Sequence, residues 1–153
     1  MTTFDVSNKD LVALFNKYDI EYVKFREDDL IVQWGRKEDS TYAYFIVGIN
    51  DGSLICHALY QLVDNITDRN ELLHTLNFSS DFCMLNMRQL EEDNTLTFAS
   101  LFPVEFGVSE VTVAVFMGMF SASLLEMEGK LEDLRISFNS IAEKRYDELF
   151  SES

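Results

Sequence analysis

A long apolar stretch near the C-terminus constrains the fold more than any other part of the sequence. Residues 111–125 carry no charged side chain. Further along, the apolar residues narrow to one stripe with steps of three and four, which stacks side chains on one helical face. The stripe consists of Phe116, Phe120, Leu124, Met127, Leu131, Leu134, Phe138 and Ile141. The sequence therefore predicts one long helix over Ser109–Ile141, deeply buried at its start and amphipathic towards its end.

The same stretch is a poor match to a membrane span. A helix that crosses the hydrocarbon core needs roughly 20 apolar residues. The uncharged run is shorter, is interrupted by Gly118 and by hydroxyl side chains, and is bounded by Glu110 and Glu126. We expect a core helix and no membrane partner.

Length and charge limit the classes of function. At 153 residues the chain fits one domain that can bury a core without disulfides or metals. Its net charge is −15, and its twelve Lys and Arg residues form no basic patch. Because phosphate neutralisation dominates nucleic-acid affinity, we expect no nucleic-acid partner. The acidity fits either solubility with repulsion between copies or a surface matched to a basic partner.

Cysteine content and the N-terminal residues favour a reducing compartment. The two cysteines, Cys56 and Cys83, do not make a disulfide framework. The first residues have neither the basic nor the apolar region of a signal peptide. We expect a cytoplasmic protein.

Patterns along the chain predict an α+β domain over residues 1–153. A helix capped by Ser7 precedes four strands, with Asp51-Gly52 as a tight hairpin turn between the last two. A second helix starts near Asp68, and two more strands lead to the long helix from about residue 109. The predicted strands are Glu21–Phe25, Leu30–Gly35, Thr41–Asn50, Leu54–Val63, Phe82–Leu90 and Thr95–Val104. The order α-β-β-β-β-α-β-β-α predicts an antiparallel sheet with helices on one face.

The third strand, Thr41–Asn50, is apolar on both faces, which is typical of a strand covered on two sides. If all helices lie on one face, the other face needs a second chain. This reasoning predicts a homodimer. The predicted dimer residues are Val113, Met117, Phe120 and Ala122.

Catalytic and metal-binding motifs do not stand out. Cys56 and His57 are adjacent in a predicted strand, so their side chains point to opposite faces and cannot ligate one ion together. The acidic clusters at Glu27–Asp29 and Glu91–Asp93 lack the ligand spacing of a calcium loop. No nucleophile elbow, zinc motif or dinucleotide fingerprint occurs. We expect no enzyme, no cofactor and no metal.

A family resemblance accompanies this pattern over most of residues 7–128. It lies in the run Leu76-Asn77-Phe78-Ser79-Ser80, the two strands joined by an acidic turn, and the apolar helix that opens at Gly107-Val108-Ser109-Glu110. In these features the chain resembles the YbjN family of candidate bacterial sensory-transduction regulators, whose fold is similar to that of type III secretion chaperones. The resemblance implies a small acidic homodimer that holds a peptide or protein partner against hydrophobic grooves. It implies no catalytic residues.

The first hypothesis is thus a chaperone-like or regulatory binding module that holds a protein or peptide partner against exposed apolar strand and helix faces. The predicted groove residues are Trp34, Tyr42, Tyr44 and Ile46. The alternative is a small-molecule sensor or minor enzyme with a pocket between the sheet and the C-terminal helix, where Ser100 or His57 would supply polar groups. A structural subunit of a larger assembly is the third hypothesis.

Overall fold

The computed structural model describes residues 3–4, 8–36, 41–63, 66, 68–78, 86–105 and 107–152. Within these residues the chain is a mixed α+β fold of four helices and nine strands. The helices are α1 (Asn8–Lys17), α2 (Arg69–Phe78), α3 (Glu110–Asp133) and α4 (Ile141–Glu152). The strands are β1 (Thr3–Phe4), β2 (Glu21–Arg26), β3 (Asp29–Arg36), β4 (Thr41–Asn50), β5 (Ser53–Leu62), β6 (Asn86–Leu90), β7 (Thr95–Pro103), β8 (Val108–Ser109) and β9 (Phe138–Ser140).

The main sheet is antiparallel and, among the described residues, has seven strands. Six of them run in the order β2-β3-β4-β5-β7-β6, while β9 pairs with the end of β5. Strands β1 and β8 form a separate two-stranded ribbon. The predicted α+β class and the predicted order of the larger elements are confirmed, and β1, β8, β9 and α4 are additional.

The hairpin between β4 and β5 has the turn that the sequence predicts. Asn50 pairs with Ser53, and Asp51 and Gly52 between them both have positive φ, at 50° and 73°. Positive φ at both central residues matches the right-handed twist of the flanking strands, which is why Asp-Gly favours this turn.

The main core lies between one face of the sheet and α1, α2 and α3. On that face, alternate residues of β3, β4, β5 and β7 are buried against the helices. Phe120 of α3 joins two strands, since its ring centroid lies 5.1 Å from that of Phe45 and 5.3 Å from that of Phe98. The predicted stripe is confirmed from Phe116 to Leu131, where α3 buries apolar side chains against the sheet.

The long helix begins where predicted and ends earlier than predicted. The Ser109 side chain caps α3 by accepting a hydrogen bond from the Thr112 backbone N–H at 3.1 Å. At the other end Arg135 has φ 59°, and the N–H of Ile136 donates to the Leu131 carbonyl at 2.9 Å. This is a Schellman ending. A single helix over Ser109–Ile141 was therefore a wrong prediction.

The segment after this break forms α4, which packs on the opposite face of the sheet. Ile31 and Ile46 point away from the main core because successive strand residues alternate between faces. They form a second buried cluster with Ala142 and Tyr146 of α4. The expectation that helices occupy one face only is thus corrected: the chain's own last helix covers part of the second face.

Some sequence-based expectations fall outside the described residues. These are the Ser7 cap, Cys83 and the first part of the strand predicted over Phe82–Leu90, of which the structure describes Asn86–Leu90.

Candidate binding surface

One side of α3 is apolar and open to solvent, and we call it the open α3 face. The side chains of Val111, Val115 and Met119 follow one another at steps of four residues and are 57%, 54% and 37% exposed. Smaller, half-buried residues lie between them on the same side. The open α3 face consists of Val111, Ala114, Val115, Gly118, Met119 and Ala122.

The open α3 face exists because this part of the helix is apolar all round, whereas the sheet covers only one side. The side chains that meet the sheet include Val113, Met117 and Leu124. Sequence periodicity alone could not distinguish the side of α3 that faces the sheet from the side that faces solvent, because residues 111–125 contain no charged residue that would mark the solvent-facing side. By length and composition alone α3 could also span a membrane; in this structure its buried side packs as a core helix.

Three of the four predicted dimer residues lie in the interior. Val113, Met117 and Phe120 have no solvent exposure, because they fill the space between α3 and the sheet. They therefore offer no surface to another chain, and this assignment is corrected. Ala122 is half-buried and belongs to the open α3 face.

A cleft of about 260 Å³ adjoins the open α3 face, and we call it the aromatic cleft. It lies where the end of α1 leads into β2, beside the end of β3, the start of β4 and one residue of α3. Its walls contain three aromatic rings, two carboxylates and one amide. The lining residues are Tyr18, Asp19, Ile20, Glu21, Gln33, Trp34, Gly35, Tyr42 and Ala114.

The end of α1 positions one wall of the aromatic cleft. Asp19 stops the helix with φ 54°, and the next N–H, that of Ile20, donates to the Phe15 carbonyl at 2.8 Å. The bend places Tyr18, which is exposed, next to Asp19 at the cleft. Ile20 packs on the main core and anchors the bend.

The ends of β3 and β4 position the other wall. Gly35 pairs with Tyr42. A Cβ at Gly35 would come within 2.8 Å of the Tyr42 ring, so the ring can occupy this position only because residue 35 has no side chain. Trp34 lies on the α3 side of the same strand, and its ring would be 3.7 Å from a Cβ at Gly118. Trp34 and Gly118 therefore join the aromatic cleft to the open α3 face.

An ion pair links α1 and α3 beside this site. Lys17 Nζ lies 3.1 Å from Glu110 Oε1 and 5.6 Å from the centroid of the Tyr18 ring. The hydrogen bond to Glu110, followed by its charge, raises the pKa of Lys17 above the ordinary value. The lysine is thus engaged with Glu110.

The four predicted groove residues do not line one groove. Trp34 and Tyr42 both line the aromatic cleft. Tyr44 and Ile46 instead contact α4: the Tyr44 ring meets the Tyr146 ring edge-on, and Ile46 is buried with Ala142. The prediction of a groove formed by Tyr44 and Ile46 is corrected, because the chain's own helix fills that position.

The polar groups considered for a sensor or metal site are separated by the sheet. Cys56 is fully buried in the main core, and burial raises the pKa of its thiol. His57 is on the opposite face, where burial, partly offset by Asp29, lowers its pKa. Ser100, which pairs with Cys56 in register, is buried on the core side. Among the described residues no group of three or more His, Cys, Asp or Glu side chains could hold a metal ion.

A second cleft, of about 630 Å³, lies at the start of α4. It is lined by residues of β5, β9 and α4, among them the polar Gln61, Lys144 and Asp147.

On the core side of β5, the Tyr60 hydroxyl donates to Glu128 Oε2 at 3.5 Å. Burial, followed by repulsion from Glu143, raises the pKa of Glu128 to about 7.

Comparisons with known proteins bear on the fold. No model of a protein family matches the sequence, and no curated protein matches it either. The crystal structure of YbjN, a candidate transcription regulator from E. coli, matches with a TM-score of 0.61. The match covers 84% of this chain and 92% of the YbjN chain. The chain has a YbjN-like fold. The predicted resemblance is confirmed at this level, since an identity of 12% shows the fold alone.

Proposed function

We propose that this chain is a non-catalytic module that binds a protein or peptide partner, with the open α3 face as its docking surface. One observation carries the proposal: Val111, Val115 and Met119 present a continuous apolar strip to solvent. Contiguous exposed apolar surface marks interaction sites, because burying it against a partner removes it from water. Small residues between the three, such as Gly118, leave room for the backbone of a partner to approach closely.

A regulatory role through protein contacts is consistent with the charge and with the fold. The solved YbjN structure is described as that of a candidate transcription regulator. For the present chain, a net charge of −15 opposes direct contact with DNA phosphates. We therefore propose regulation by binding another protein.

Homodimerisation through the open α3 face is one form of this proposal. A two-fold pair of α3 helices would bury the same residues on both copies. In such a dimer the apolar strips of the two copies would contact each other, while the acidic surface of each copy would stay in water. Sedimentation at micromolar concentration distinguishes a species of 17.7 kDa from one of twice that mass.

A paired capture experiment tests the docking surface. Val115→Lys puts a charge into the open α3 face, and Leu134→Lys puts the same charge on an exposed apolar residue at the far end of α3. Both variants should fold, since surface substitutions usually change stability by less than about 0.5 kcal/mol. We expect Val115→Lys to lose a stoichiometric partner or the second copy, and Leu134→Lys to retain it. Equal retention by both variants would contradict the proposal.

Small-molecule sensing is the second candidate, and the cleft at the start of α4 favours it. Its volume of about 630 Å³ lies within the usual range of small-molecule sites, about 300–1,000 Å³. Lys144 and Asp147 would offer charges of both signs to a ligand. A metabolite that co-purifies with the wild-type chain and is lost from Lys144→Ala would favour this function.

A further inference from the structure

The aromatic cleft combines two features that attract organic cations. Three of its lining side chains are aromatic: Tyr18, Trp34 and Tyr42. Two others, Asp19 and Glu21, are exposed carboxylates, and none of the described lining residues is basic. The face of an aromatic ring attracts a cation through its quadrupole, and a carboxylate pairs with it directly.

One cation of the chain itself, Lys17, is engaged beside the cleft. Lys17 lies at one edge, above the Tyr18 ring, with its ammonium group 3.1 Å from Glu110 Oε1. Glu110 thus pairs with the charge of Lys17. Neither of the two ion pairs found among the described side chains involves Asp19 or Glu21, which line the cleft itself.

The size of the cleft restricts what enters it. Its volume of about 260 Å³ lies just below the range of about 300–1,000 Å³ that holds drug-sized ligands and cofactors. A single long side chain or a small amine fits this space better. Contact with the open α3 face through Ala114 and Gly118 favours a side chain, because a protein docked there would cover the mouth of the cleft.

We propose that the aromatic cleft receives the cationic end of an arginine or lysine side chain from the protein partner. The proposal rests on the protein-binding function proposed above and names the chemistry of that partner: a basic residue next to an apolar surface. The partner's apolar residues would lie on the open α3 face, and its cation would enter the aromatic cleft at the end of the sheet, near the carboxylates of Asp19 and Glu21.

The sole tryptophan of the chain allows a direct test, since Trp34 lines the cleft. Its fluorescence is followed while a short alanine peptide with one central arginine is added. The matched probe replaces arginine by citrulline, which has nearly the same shape without the charge. We expect a saturable change with arginine and at least about ten-fold weaker binding of citrulline, which corresponds to the loss of about 1.4 kcal/mol. The same affinity for both peptides, or no saturable change, would overturn the proposal.

Variants locate the effect at the carboxylates. The double variant Asp19→Asn with Glu21→Gln should weaken arginine binding about ten-fold. The control, Glu91→Gln with Glu92→Gln, removes the same charge from an exposed turn and should leave the affinity unchanged. Equal weakening in both would show a general charge effect and contradict the site. Circular dichroism verifies that each variant is folded.

Two further comparisons complete the test. The first distinguishes a partner's side chain from a free amine as the occupant of the cleft, and the second distinguishes failure of the cleft proposal from failure of the open α3 face proposal. If tetramethylammonium binds at least ten-fold more tightly than the arginine and lysine peptides, the occupant is a free amine and a partner's side chain is rejected. Failure of the peptide titration while Val115→Lys still abolishes capture refutes only the cleft. Success of the titration while Val115→Lys retains capture refutes only the open α3 face.

Discussion

The ring of Tyr146 meets the ring of Tyr44 edge-on, with their centroids 5.5 Å apart. This contact ties α4 to the second face of the sheet, where Ile31 and Ile46 are also buried. A face that the sequence assigned to another chain is thus partly covered within the chain itself. The open α3 face lies on the other layer, and the aromatic cleft lies at the ends of β3 and β4.

Removing the Tyr146 ring should loosen α4 from the sheet. Tyr146→Ala deletes a side chain that is only 3% exposed, so we expect the free energy of unfolding to fall by about 2–4 kcal/mol. Phe150→Ala is the control, because Phe150 stacks on Tyr146 and is largely exposed. Phe150→Ala should lower the free energy of unfolding, measured by urea denaturation, by less than about 1 kcal/mol. Similar losses for both would mean that α4 is held by other contacts.

Two glycines of α3 provide a matched pair that separates stability from binding. A Cβ added at Gly129 would have no neighbouring atom within 4 Å outside its own helix turn. A Cβ added at Gly118 would lie 3.7 Å from the Trp34 ring, an ordinary van der Waals distance. Each change should raise the free energy of unfolding by roughly 1 kcal/mol, because glycine is unfavourable in a helix. Only Gly118→Ala should weaken capture of the partner. If both variants bind as well as the wild type, the partner does not approach the helix closely at Gly118.

The half-buried carboxyl of Glu128 should make stability depend on pH. Its pKa is raised from 4.5 to about 7, so the folded state holds the proton more tightly than the unfolded state. The free energy of unfolding should therefore fall as pH rises from about 4.5 to about 7. Glu128→Gln should remove this loss and be more stable than the wild type at pH 8, by about 1–3 kcal/mol.

The control for that prediction is Asp133→Asn, on the same helix at an exposed position. Its stability should follow the wild-type pH profile. A wild-type profile that is flat between pH 4.5 and pH 7, or that rises, would contradict the assignment to Glu128.

The stop of α3 at Arg135 predicts a stabilising substitution. Arg135 has φ 59°, a left-handed conformation that costs a residue with a side chain about 1–2 kcal/mol. Arg135→Gly relieves that cost and should stabilise by about 0.5–1 kcal/mol; the gain is smaller than the cost relieved because the greater freedom of glycine in the unfolded chain offsets part of it. Lys130→Gly, inside the helix, should instead destabilise by roughly 1 kcal/mol. Thermal unfolding of the two variants tests this difference in sign.

The same residue explains why the sequence misplaced the end of the helix. Helices commonly stop at glycine in this conformation, and here arginine takes its place. The three-and-four spacing also continues across the break through Leu134, Phe138 and Ile141. In the structure Leu134 is the C-cap of α3, Phe138 is in β9 and Ile141 is the first residue of α4. The stripe therefore did not describe one helix.

Elements with a strong local signal were predictable from sequence. The Asp51-Gly52 turn and the Ser109 cap each depend on the chemistry of adjacent residues, and both are found. Which side of α3 faces water depends on the sheet packed against it, since Val113 and Val115 are chemically identical. The aromatic cleft was predictable only in part, through Trp34 and Tyr42, because the path of the chain after Tyr18 and Asp19 depends on how Ile20 packs on the core.

Photo-cross-linking tests the open α3 face most directly. A photoreactive amino acid replaces Val115 in cells that produce the chain, and a second strain carries it at Leu134. We predict one discrete adduct from position 115, either with a second copy or with one other protein, and no such adduct from position 134. The same adducts from both positions, or none from position 115, would contradict the account of this chain as a protein-binding module.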